Sequence, residues 1–70
     1  MNANEQRSKR TRIGEGVYTT HSGRFVIKHI NSMWHLFDTR EAEATGQDGW
    51  CQFYGTLGEA VESGNWIEGN

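Results

Sequence analysis

The chain has no proline, one cysteine and no apolar run of the length a bilayer demands. A lone Cys51 excludes an intrachain disulfide framework and fits a reducing compartment. No apolar segment follows the start, so neither secretion nor membrane spanning is expected, and the cytoplasm is the expected location. Without proline, nine glycines are left to make the turns. Paired catalytic carboxylates, a glycine-rich phosphate cradle and a nucleophilic triad are all missing as patterns. The chain therefore reads as a binding protein and not an enzyme.

What is present is divided unevenly. In residues 1–12, Arg7, Lys9, Arg10 and Arg12 stand against Glu5 alone, a net of +3. Residues 13–70 carry Arg24, Lys28 and Arg40 against eight carboxylates, a net of −5, and hold all eight aromatic residues. An acidic body repels phosphate backbones, so nucleic-acid contact must come from the basic segment or from one locally basic face. Residues 1–12 have almost nothing to bury and read as a disordered basic arm. Residues 13–70 read as a single β-β-β-β-α domain. A core that small supplies only about 3–5 kcal/mol of net stability, which makes a homo-oligomer or a stabilising partner a natural expectation.

The body gives these elements in turn. Gly14, Glu15 and Gly16 form a turn into a first strand, Val17 to Thr20. His21-Ser22-Gly23 is turn chemistry, and Arg24 to Ile30 is the clearest strand. If Asn31-Ser32 is a two-residue turn, Ile30 faces Met33, Lys28 faces His35 and Val26 faces Phe37. Phe25, Ile27, Trp34 and Leu36 then share the opposite face, with His29 at its edge. Residues 39–49 read as a long polar hairpin loop, with a single helical turn over Thr39 to Thr45 as the alternative, leading to a fourth strand, Trp50 to Tyr54. Thr56 with Glu59 makes a capping-box pattern, and Leu57, Ala60 and Val61 fall on one helical face. Gly64 reads as the C′ glycine ending that helix, with Trp66 and Ile67 folding back to close the core. The expected fold is α+β: a three- to four-stranded antiparallel sheet packed against one short C-terminal helix.

Four constellations are candidates for chemistry. His21, His29, His35 and Cys51 match no zinc spacing, so no metal and no cofactor is expected. Glu41, Glu43 and Asp48 lack the dense alternation of a calcium loop and read as a solvated loop. Arg7, Lys9, Arg10 and Arg12 form a candidate nucleic-acid arm, adding affinity to a folded reader. Arg24, Val26, Lys28, Ile30, Met33, His35 and Phe37 share one hairpin face that a single brief helix cannot cover. That face is the candidate site for a protein partner, with Trp34 or Trp50 as anchors.

Gly16 and Tyr18, the run Gly23 to Ile27, the run Trp34 to Asp38 and the run Thr56 to Ala60 together resemble small sheet-plus-helix proteins of bacteriophages and actinobacteria. More distantly, they resemble the AP2-like arm-binding domains of tyrosine recombinases. The first resemblance implies a phage-type accessory protein acting in the host cytoplasm, which inhibits or modulates a protein partner. The second implies a DNA-binding or excisionase-like regulator whose readers are Arg24, Lys28 and His35.

Overall fold

Asn31 and Ser32 both adopt positive φ, 51° and 67°, the geometry of a two-residue hairpin turn whose twist suits the flanking strands. That turn joins β3, Phe25–Ile30, to β4, Met33–Asp38. Its length sets the register: Ile30 pairs with Met33, Lys28 with His35 and Val26 with Phe37. These facts come from a computed structural model, which describes residues 9–69. Two further strands lie on the β3 side, β1 (Arg10–Gly14) and β2 (Val17–Thr20), and β5 (Trp50–Tyr54) lies on the β4 side. The result is one antiparallel sheet of five strands in the order β1-β2-β3-β4-β5.

Residues 10–12, expected within the disordered arm, are strand instead. Arg10, Thr11 and Arg12 pair with Thr20, Thr19 and Tyr18 as an edge strand, and Gly14 pairs with Val17 across the turn at Glu15-Gly16. Lys9 precedes that strand, and its carbonyl accepts a 2.9 Å hydrogen bond from Asn65 Nδ2. Arg7 and the rest of the expected arm, residues 1–8, lie outside the described residues.

The polar segment after β4 is also not a plain loop. Thr39–Thr45 is a helix, α1. Asp38 caps it, accepting from the amides of Arg40 at 3.0 Å and Glu41 at 3.4 Å. Gly46, at φ 76°, closes it with its amide on Ala42 O. The return to β5 passes through Gly49, whose φ is 74° and whose carbonyl accepts from the Asp38 amide at 2.8 Å. A Cβ there would lie 2.2 Å from Asp38 O, so only glycine fits.

The second helix, α2, spans Leu57–Gly69. Thr56 caps it as expected, its Oγ1 accepting from the Glu59 amide at 3.2 Å. It does not stop at Gly64. Gly64 is buried inside the helix, and a Cβ on it would stand 2.7 Å from Thr20 Cγ2 and 3.3 Å from Leu36 Cδ1. The missing side chain lets the helix approach the sheet, and the chain continues as helix beyond it. Trp66 and Ile67 consequently ride on the helix, 54% and 41% exposed, and do not close the core.

The core lies between α2 and one face of the sheet. Phe25, Ile27 and Leu36 meet Ala60 and Val61, with Tyr18, Trp34, Tyr54 and Leu57 packed around them. Each large side chain so buried contributes about 1.5–3 kcal/mol. Polar ties reinforce this modest core. Asn65 Oδ1 accepts from the His21 amide at 2.9 Å, so one side chain fastens both the start of β1 and the β2–β3 turn to α2.

Candidate binding face of the sheet

Strand alternation sends every second side chain of the sheet away from α2. Two rows cross this open face. Thr19, Val26, Phe37 and Trp50 are register neighbours in the first, and Val17, Lys28, His35 and Phe53 in the second. Ile30 and Met33 extend the patch beside the turn. Helix α2 packs on the other face, and α1 buries none of its own residues. Val26, Met33, His35 and Phe37 are accordingly only half-buried, while Trp50 and Phe53 are 47% and 49% exposed.

An irregularity between Leu36 and Phe37 brings Trp50 into this group. Trp50 Nε1 donates to His35 Nδ1 at 3.0 Å, and its ring lies 6.4 Å from that of Phe53. His35 and Phe53 are 5.9 Å apart, centroid to centroid. Lys28 Nζ sits 5.3 Å from the Phe37 ring centre, an exposed cation–π contact of about 0.5–1 kcal/mol. The hydrogen bond and the neighbouring rings fix the position of the indole within the cluster. That lowers the entropic cost of binding.

The structure gathers Val26, Lys28, Ile30, Met33, His35, Phe37 and Trp50 on one surface, and adds Phe53. Sequence reasoning missed Phe53 as a site residue, although its place opposite His35 follows once β4 and β5 are aligned. Trp34 belongs to the other side, where it stacks on His29 at 4.3 Å and meets Tyr18 edge-on. Arg24 must also be removed from the hairpin face. It precedes β3, and its guanidinium donates to both Asp38 carboxylate oxygens, Nε at 3.2 Å and Nη2 at 2.8 Å. Glu68 adds a second, longer ion pair at 3.7 Å. The Arg24 hydrogen bond holds the Asp38 carboxyl below the usual range, helped by the α1 amides it caps.

Among the described residues, positive charge is scattered and not pooled. Arg10 and Arg12 stand opposite Thr20 and Tyr18, register positions on the helix side of the sheet, away from Lys28. Among the described residues, no three of His, Cys, Asp and Glu come together as a metal site. Partial burial, with the Asp38 charge adding to it, pushes the Cys51 thiol up, so it is protonated and weakly nucleophilic at neutral pH. No described helix is long and apolar enough to cross a membrane. No family model matches the chain, and no curated protein or solved structure does either.

Proposed function

We propose that this chain is a non-enzymatic docking module that binds a protein partner through the open face of its sheet. One observation carries the reading: an aromatic and apolar surface, Trp50, Phe53, Phe37, Val26 and Met33, that no described element covers. Aromatic residues and methionine are the types enriched at interface cores, and a few such anchors dominate binding energy. The resemblance to small phage-type sheet proteins suggests the consequence. Occupying a partner's surface in the cytoplasm would inhibit or redirect it.

The AP2-like reading has less behind it. Of its three readers, Arg24 is engaged by Asp38 and His35 accepts from Trp50, which leaves Lys28 as the one cation on the face among the described residues. One cation releases few counterions from a phosphate backbone. The test is pulldown of the natural partner with the wild-type chain, Phe37→Asp, and Glu62→Arg on exposed α2 as control. Losing a central anchor costs about 2 kcal/mol or more, roughly a thirtyfold weakening. Capture lost with Phe37→Asp and kept with Glu62→Arg is the expected result. Capture unaffected by Phe37→Asp overturns the reading, and duplex DNA binding that survives about 150 mM salt and weakens on Lys28→Glu would replace it with the nucleic-acid one.

A further inference from the structure

The two edges of the sheet differ in chemistry. β1 carries Arg10 and Arg12, charges of the kind that discourage edge-to-edge pairing. β5 reads Trp-Cys-Gln-Phe-Tyr, with no charge, no proline and no glycine. Hydrogen-bond parity says which of its groups face outward. The two-residue turn makes Ile30 and Met33 a hydrogen-bonded pair, so Met33, His35 and Phe37 bond toward β3. Trp34 and Leu36 then bond toward β5, meeting Tyr54 and Gln52. Phe53, opposite His35, therefore directs its amide and carbonyl away from the sheet. Its amide donates to the neighbouring Gln52 Oε1 at 3.2 Å, an exposed local contact that a pairing strand would replace.

We propose that this edge pairs antiparallel with β5 of a second copy of the chain, about a twofold axis at Gln52. Self-pairing suits the strand for three reasons. Each Gln52 lies opposite its own copy, and a carboxamide is both donor and acceptor, so the two side chains can bond to each other. An uncharged strand brings no like charges into register, although the chain as a whole is net −2. The twofold uses up both β5 edges, leaving charged β1 at the outside, so association closes at the dimer. Directly opposed residues in an antiparallel pair share a face, so the two open faces lie on one side of the joined sheet. The Phe53 side chains then flank the seam, and the two aromatic clusters become one longer surface. This inference stands apart from the docking reading, because it concerns the edge and not the face.

The test is the mass of the intact chain in native mass spectrometry and sedimentation. Twice the 8.0 kDa chain mass is expected at high micromolar concentration. Gln52→Lys, which sets two cations against each other at the axis, should return the single-chain mass with the far-ultraviolet circular dichroism unchanged. Phe53→Pro should do the same, since it removes an outward amide and spares the β4 ladder. In a Cys51→Ser background, Gln52→Cys should form an interchain disulfide under mild oxidation. The axial pair is the non-hydrogen-bonded kind, with Cα atoms about 4.5 Å apart, inside disulfide range. A monomeric wild type overturns the proposal. So does a dimer that survives both Gln52→Lys and Phe53→Pro, or one lost on Phe37→Asp but kept with Gln52→Lys.

Discussion

Replacing a helical glycine by alanine normally stabilises, by up to about 1 kcal/mol, because glycine has more backbone freedom to lose. Gly64 should break that rule. Its added methyl would meet Thr20 Cγ2 at 2.7 Å and Leu36 Cδ1 at 3.3 Å. Neither neighbour can retreat easily: Thr20 is β-branched and 1% exposed, and Leu36 is wholly buried. Overpacking of this kind costs about 1–3 kcal/mol, which outweighs the propensity gain. We expect Gly64→Ala to lose about 1–2 kcal/mol, or about 4–16 °C in Tm for a domain this small. Gly58, in the same helix with nothing within 4 Å of where an added methyl would stand, should move the other way on Gly58→Ala. Urea and thermal unfolding followed by circular dichroism would measure both. Thr20→Ser supplies the diagnostic background, since it deletes Cγ2 yet keeps the hydroxyl that accepts from the Phe25 amide at 3.3 Å. The penalty of Gly64→Ala should shrink there by about 1 kcal/mol, as expected for residues in contact. Additive effects, or a Gly64→Ala protein as stable as wild type, would refute the close-packing argument and restore a simple helix-ending role for the glycine.

Two further outcomes follow from the polar ties. The Asp38 carboxyl has a lowered pKa in the folded state, so its stabilisation is complete above the unfolded value of about 3.9 and is lost as pH falls through the folded value. Asp38→Asn should therefore lower stability near neutrality and flatten its dependence on pH in the acid range, as read from unfolding curves at several pH values. Asn65→Leu would strip the His21 amide and the Lys9 carbonyl of a shared partner, at about 1–3 kcal/mol, and hydrogen exchange at His21 should accelerate.

The elements legible in the chain are those whose signal is local. Asn31-Ser32 announces a tight turn, and a two-residue turn leaves one register, so the faces of β3 and β4 could be listed residue by residue. Thr56 with Glu59 announced the start of α2 in the same way. β1 was hidden because it buries none of its residues and so carries no apolar alternation; its Arg-Thr-Arg run looks like a tail. Helix α1 was legible only as an alternative to a loop, because its cap, Asp38, is also the last residue of a strand and Gly46, Asp48 and Gly49 carry turn chemistry. Gly64 misled because a helix-ending glycine and a close-packing glycine look alike in sequence.

The same division holds for the candidate site. Local pattern alone assigned Val26, Lys28, Ile30, Met33, His35 and Phe37 to one side of a ribbon, since side chains alternate strictly along a strand. Only the assembled sheet could bring Trp50 and Phe53 beside them from β5 and withdraw Arg24 into the embrace of Asp38 and Glu68. Those placements depend on contacts between residues far apart in the chain, and no short-range periodicity encodes which distant strand arrives at which edge.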